Sequence, residues 1–449
     1  MSAKIIRDPL YNYIGIDRGR DAWLVEVLDS PEVQRLRRIH QLGVSYLTYP
    51  GADHNRLAHS LGVLHLMMQA FQRLNEIATA GATGAIHEQI LRGRAPLLAA
   101  ALIHDVGHGP YSHLFEPCLG IDHEVWSERI ILSEDSGLHK ALKRVDRSLP
   151  RTVAELIDRD NHDHPSWQKY LLSSQLDMDR LDYLRRDSLF TGASYGHFDW
   201  FRLINTFELY EGEDSGWDMV WGEKSKLAVE EYIFSRFYMY QNVYLHKTTR
   251  GFEKMLEAMW RRARRLHDEG TDVGLVPAIR DFWGTPEPEV KQFLAIEEFT
   301  VLSQIQTWTS HAAPSLSALA RRFLDRKRFA MVEPPNFQGD ISPGYAEWEA
   351  ALLKLVGSRS EYAPPEMYCL ADRVKAKYNQ PYFPEKEDDE QSVKNAIRIR
   401  LDGEPRPIEV SRLLPRLMPL TQEPVDRVRY YVPKDLQAEA RKLRENWKG

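Results

Sequence analysis

The spacing of apolar positions predicts a chain built mainly of helices. Leu57, Leu61, Leu64, Met68 and Phe71 recur at intervals of three and four, the period of one helix face. A helix is therefore expected from 55 to about 80, with Asn55 as its N-cap and 81–84 as the loop that follows. An unbroken apolar run from 95 to 103 predicts a buried helix. Ser30 and Pro31 supply an N-cap and a proline at the first helical position, and Gly43 a stop. Between them Val33, Leu36 and Ile39 turn to the core, while Gln34, Arg37 and Arg38 turn outward. Further helices are expected over 121–132, 170–186, the aromatic-rich stretch 230–250, the segment up to 308, and 315–328. Residues 4–16 read as an extended arm, 133–167 as polar with a loop at 161–165, and 188–196 as a loop with Gly192 and Gly196 as hinges.

Beyond 330 the pattern changes. Three prolines and two glycines mark 331–344 as a linker. After it, Ile397, Ile399 and Leu401 alternate with Arg398 and Arg400, the period of a strand. Strand-like runs also occur at 367–370 and 428–432, and a polar helix is expected over 434–446. The expected architecture is mostly α: a large helical domain over 1–330, then a small α+β region over 345–449. No internal repeat is visible.

Composition narrows the function classes. A chain of 449 residues that is 43% hydrophobic can bury a large core. Its formal net charge of −6 provides no general attraction to nucleic acid or to an acidic membrane. Two cysteines, Cys118 and Cys369, are too few for a disulfide scaffold or a thiolate zinc site. The N-terminus lacks an apolar signal core and no run approaches 18 apolar residues, so the expected location is cytoplasmic.

The chemistry concentrates at the end of the apolar helix. His104, Asp105, His108 and His113 fall within ten residues. Neighbouring helix positions differ by about 100°, so His104 and Asp105 can flank one point. Gly107 stops the helix, and Gly109-Pro110 forces a turn that brings His108 and His113 back toward it. His59 lies off the apolar stripe of its own helix, three residues from Arg56 and on the same face. Downstream, Asp177, Asp179, Asp182 and Asp187 place four carboxylates in eleven residues, one of which can close the set. Mixed nitrogen and oxygen donors suit Mn, Fe, Co, Ni or Zn, and an additional Mg is admissible beside them.

His59, His104-Asp105 and Asp179, in that order, resemble the ligands of the HD-domain metal-dependent phosphohydrolases. The stretches Asp29 to Arg38, Gln41-Leu42-Gly43, Gly51 to Arg56 and His108 to His113 narrow the resemblance to the deoxynucleoside triphosphate triphosphohydrolases. It runs from about Lys4 to Lys247 and continues weakly to about Arg328. The resemblance implies an HD-domain helical bundle that releases deoxynucleoside and inorganic triphosphate. It also assigns roles. His108, His113 and His123 become candidates for proton transfer and charge stabilisation, beside Arg56. Arg56, Arg180, Arg236 and Lys247 would hold the triphosphate; Arg180 stands where the family uses Lys. Gln41 and Asp187 would bond the 3′-hydroxyl, Tyr183 would pack on the sugar, and Leu42 and Tyr244 would crowd its 2′ carbon. Lys4, Asp29, Gln34 and Arg37 match positions that hold a guanine nucleotide effector between subunits. Basic residues near Arg326 reach an effector from a neighbouring subunit, and a homotetramer is implied. Two alternatives stay open: an HD hydrolase for another nucleotide or single-stranded nucleic acid, and a nucleotide-binding regulator.

Overall fold

The computed structural model describes residues 3–79, 84–112, 116, 122–161, 163–212, 216–335, 341–374, 380–385, 396–421 and 427–447. The chain opens with an antiparallel hairpin, Ala3–Asp8 against Asn12–Asp17. Its turn is set by Asp8, whose Oδ1 accepts the backbone N–H groups of Leu10 at 2.9 Å and Tyr11 at 3.0 Å. Alternation then sends Ile14 and Ile16 into the core.

Two long helices, Arg56–Thr79 and Gly84–Ile103, pack along one another. The first begins where expected, with Asn55 Oδ1 accepting the Ala58 N–H at 3.1 Å. It is buried well beyond one stripe, because Val63, Leu66, Met67 and Ala70 are also inaccessible to solvent. A third helix, Met178–Thr191, crosses it and ends at Gly192 in the left-handed conformation with φ 72°. This crossing is close. A Cβ at Gly62 would lie 1.9 Å from Asp182 Oδ1 and 2.5 Å from Arg186 Nη2.

Local chemistry corrects several expected boundaries. The helix expected over 170–186 is two, Ser166–Leu172 and Met178–Thr191. Asp177 divides them: its Oδ2 accepts the Ser174 N–H at 2.8 Å and its Oδ1 the Arg180 N–H at 2.7 Å. The helix from Pro31 stops at Arg35, continues as a 3-10 turn Leu36–Arg38, and gives way to an extended Ile39 whose carbonyl accepts the Arg56 N–H at 2.9 Å. The aromatic helix becomes Lys226–Met239, a π turn Tyr240–Tyr244, and a new helix Lys247–Asp268. The polar stretch 133–167 carries helices Gly137–Val145 and Leu149–Ile157, short and amphipathic, with Leu138, Leu142, Val153 and Leu156 buried.

The small sheets join distant parts of the chain. A hairpin not foreseen from the pattern, Phe207–Gly212 with Gly216–Gly222, continues through parallel pairing to Arg398–Arg400 and then Ile408–Glu409. A second sheet places Arg427–Val432 between Ala330–Val332 and Leu370–Val374. Strand Ala330–Val332 thus spans the expected start of the segment 331–344. No helix among the described residues is long and apolar enough to cross a membrane.

The helix crossing yields a prediction. Gly→Ala in a helix interior ordinarily stabilises by about 1 kcal/mol. Gly62→Ala is expected instead to destabilise by roughly 1–3 kcal/mol, since the added methyl displaces a buried ion pair. Urea denaturation of both proteins checks the sign.

Candidate metal centre

Three helices deliver the donors. His59 sits one turn into Arg56–Thr79, His104 and Asp105 directly follow Gly84–Ile103, and Asp179 lies in the first turn of Met178–Thr191. Their donor atoms converge. His59 Nε2 is 2.9 Å from Asp179 Oδ1 and 3.8 Å from Asp105 Oδ2. His104 Nε2 is 3.4 Å from Asp105 Oδ1 and 3.7 Å from Asp179 Oδ1, and it is buried without a hydrogen-bond partner. Ligands at about 2.0–2.1 Å from a tetrahedral ion stand about 3.4 Å apart. The four side chains therefore fit a divalent cation by spacing, donor type and the orphaned His104 nitrogen.

A second layer fixes these donors. His59 Nδ1 faces Asp182 Oδ2 at 2.8 Å, which directs the other ring nitrogen at the centre. Burial opposes charge on His59, yet hydrogen bonds to Asp179 and Asp182 bring its pKa up to about 10. The carboxylates thus demand a cation at this point. Asp105 shows the opposite balance. Burial pushes its pKa up, but Arg56 at 2.5 Å, together with His104 and His108, holds it well below the usual carboxylate range.

The remaining candidates fall into three groups. Beside the centre, His108 Nε2 is 3.4 Å from Asp105 Oδ1, and burial and then the Arg56 charge keep its imidazole neutral. Its ring stacks on His123 at 4.1 Å, and His123 Nδ1 meets Glu116 Oε1 at 2.7 Å. Arg56 is engaged: beyond Asp105, its Nε and Nη2 donate to Ser112 Oγ at 3.0 and 2.6 Å. In this arrangement it positions Asp105. His113 lies outside the described residues.

The second group borders the centre on the Tyr183 side. Tyr183 stands 6.5 Å from the His59 ring and 6.2 Å from the Tyr244 ring, centroid to centroid. Tyr244 donates its hydroxyl to Asp187 Oδ2 at 2.8 Å, and His54 Nε2 approaches Asp187 Oδ1 at 2.7 Å. Gln41 donates its backbone N–H to the His54 carbonyl at 3.0 Å, and its side-chain Oε1 is buried without a hydrogen-bond partner. Leu42 follows it, partly buried against the core. Arg180 pairs with Asp177, its Nε unpartnered. Arg236 is buried, lies 5.7 Å above the Tyr240 ring, and has neither Nε nor Nη1 hydrogen-bonded. Lys247 is exposed at the start of its helix.

The third group lies on another surface. Lys4 Nζ donates to Asp29 at 3.0 Å, Gln34 Nε2 to the Leu28 carbonyl at 2.7 Å, and Arg37 Nε to Gln34 Oε1 at 2.8 Å. These four form one surface cluster. Arg326 is elsewhere, donating to the Leu47 carbonyl at 2.6 Å.

Several supporting residues escaped sequence reasoning. Glu116 alone carried a hint, standing three residues after His113. Arg35 is buried and donates to the carbonyls of His108, Leu294 and Ile296. Glu298 accepts the N–H groups of His40 at 2.8 Å and Tyr111 at 3.1 Å. Together they brace the turn after the His-Asp pair, where Tyr111 and Ser112 take positive φ values of 55° and 56°. No local pattern in the sequence reports such long-range partners.

The family model for the HD domain matches residues 56–187, the segment that carries all four candidate ligands. The chain is 37% identical over 340 residues to the uncharacterized protein YwfO of Bacillus subtilis, an alignment covering 74% of this chain and 72% of that one. It is 28% identical over 292 residues to the deoxynucleoside triphosphate triphosphohydrolase SAMHD1 of Xenopus laevis, covering 56% of this chain and 44% of that protein. A crystal structure of a phosphohydrolase from Bacteroides thetaiotaomicron superposes with a TM-score of 0.69 at 25% identity, covering 96% of this chain and 99% of that one. The chain belongs to the HD-domain phosphohydrolases, in a family related to the deoxynucleoside triphosphate triphosphohydrolases.

His104→Ala and Asp105→Ala are each expected to release bound transition metal while keeping helical circular dichroism; full occupancy by elemental analysis in both would remove the ligand assignment. Asp182→Asn keeps its shape but weakens its hold on His59, and should lower metal affinity by about 10–100-fold, read by metal titration of the stripped protein.

Proposed function

We propose that this protein hydrolyses deoxynucleoside triphosphates at the α-phosphate, releasing deoxynucleoside and inorganic triphosphate. One observation carries the reading. Arg236 is buried with two guanidinium nitrogens lacking any hydrogen-bond partner, and Arg180 is close enough to repel it. Burying an uncompensated cation is costly, so Arg236, beside an Arg180 already paired with Asp177, calls for an anion. A triphosphate supplies it, and several cations about it are proportionate to its charge.

His59, His104, Asp105 and Asp179 would hold the divalent ion, which when bound polarises a phosphoryl oxygen and acidifies a water. The chain's own residues do the rest. Arg56 keeps Asp105 ionised and oriented. His108, neutral at ordinary pH, can accept a proton or a hydrogen bond on the α-phosphate side. His123, held through Nδ1 by Glu116 and stacked on the His108 ring, would contribute on the same side. Arg180 and Arg236 bind the outer phosphates, with Lys247 at the helix start as a further cation.

The sugar end is built to exclude. His54 and Tyr244 each occupy one oxygen of Asp187, so the carboxylate is fixed before a 3′-hydroxyl arrives. In this reading the Tyr244 ring crowds the 2′ carbon, supported by its bracing against Asp187 and its edge contact with Tyr183. The activating role of a guanine nucleotide at Lys4, Asp29, Gln34 and Arg37, with Arg326 from a neighbouring subunit of a homotetramer, belongs to the same proposal. It is supported by the clustering of the first four on one surface.

Anion-exchange chromatography of reactions with each dNTP and NTP tests the reading. The native protein should prefer dATP over ATP by at least about 100-fold, the scale on which an apolar pocket rejects an added hydroxyl. Tyr244→Phe, which keeps the ring and loses only the bond to Asp187, should retain most of that preference. Tyr244→Ala should lose it by admitting ATP. Equal turnover of dATP and ATP by the native protein would refute the deoxyribonucleotide assignment while leaving a metal-dependent phosphohydrolase standing.

A further inference from the structure

A continuous line of charge links the N-terminal hairpin to the metal centre. Asp8 closes the hairpin turn with Oδ1 and accepts Arg186 Nη1 on Oδ2 at 2.8 Å. Arg186 donates Nε to Asp182 Oδ2 at 2.8 Å and Nη2 to Asp182 Oδ1 at 3.0 Å. Asp182 Oδ2 in turn meets His59 Nδ1 at 2.8 Å. Every member is buried: Arg186 and Asp182 are 0% exposed, His59 1% and Asp8 7%. The turn also inserts Tyr11 beside this line, its ring 4.7 Å from His65 and 5.8 Å from Trp200.

The arithmetic of charge explains why two carboxylates share one guanidinium. Were Arg186 paired with Asp182 alone, it would neutralise that carboxylate and draw electron density from the oxygen that faces His59. Asp8 takes part of the guanidinium's field, so Asp182 keeps its charge for the imidazole, and a more basic imidazole is a stronger ligand. The same contact leaves no Arg186 nitrogen unsatisfied in a buried site.

We propose that Asp8, 51 positions before the candidate ligand His59 and on a separate element, is a positioning residue for that ligand, acting through Arg186 and Asp182. The hairpin is then part of the metal centre's support. The inference rests on the metal reading of His59, His104, Asp105 and Asp179.

Asp8→Asn isolates the contact. Asn keeps an oxygen for the turn N–H groups and turns an NH₂ toward Arg186 Nη1, donor against donor. Stripped full-length protein is titrated with Mn²⁺ alone, by calorimetry. Native protein should bind tightly, Asp8→Asn about tenfold more weakly, at the low end of the range for outer partners of a metal ligand. Arg7→Ala, which removes a surface pair with Asn12 on the same hairpin, should bind within twofold of native. Adding Asp8→Asn to Asp182→Asn should cost nothing further, because the path is already cut. Native-like Mn²⁺ affinity in a folded Asp8→Asn protein, or full additivity in the double variant, overturns the inference. If Asp8→Asn does not fold, Arg186→Lys, which keeps a buried cation but cannot span both carboxylates, replaces it under the same criterion. Failure of the native protein to bind Mn²⁺ at all would instead strike the metal reading, a separate outcome.

Discussion

A single imidazole held between two carboxylates organises the centre of this molecule. His59 meets Asp179 on one ring nitrogen and Asp182 on the other, and both acids come from one helix crossing its own. Those contacts demand that two helices approach closely, and Gly62 permits the approach. The same crossing buries Arg186 against Asp182, which fixes the rotation of the second helix and hence the direction of Asp179. The apolar helix before His104 then needs only to arrive at the right depth. Its residues from Leu97 to Ile103, all aliphatic and fully buried, ensure that.

Charge is distributed so that each end of the site lacks what its ligand brings. Around His59 the acids exceed the nearby cations, a deficit that a divalent ion fills. Toward Arg180 and Arg236 the balance reverses, and buried guanidinium nitrogens lack acceptors. The proposed metal–triphosphate substrate would answer both halves at once. Preorganisation of this kind stabilises charge without reorganising the protein during reaction.

The long helices and the convergence of His59 with His104-Asp105 were legible from local information, whereas Asp179 was singled out among four carboxylates only by the family resemblance. Period, caps and adjacency in sequence located the helix at 56–79 and the pair His104-Asp105. The interruptions were not legible in the same way. Asp177 splits one expected helix by bonding its own neighbours, an outcome that a helix-compatible sequence does not exclude. The π turn at Tyr240–Tyr244 depends on tertiary packing of the aromatics, not on their spacing. The supporting residues Asp8, Arg35, Glu298 and His54 act on partners tens to hundreds of positions away. The hairpin at 207–222 and the strand at 330–332 likewise gain their meaning only from strands near the C-terminus.

The most direct measurement of the central proposal is the fate of oxygen from water. Hydrolysis of dGTP in H₂¹⁸O, followed by mass spectrometry of the products, reports which phosphorus is attacked. Attack on the α-phosphorus with departure of the 5′-oxygen places one ¹⁸O in inorganic triphosphate and none in deoxyguanosine, as this account predicts. Label appearing in orthophosphate, pyrophosphate or a deoxynucleoside monophosphate would contradict it.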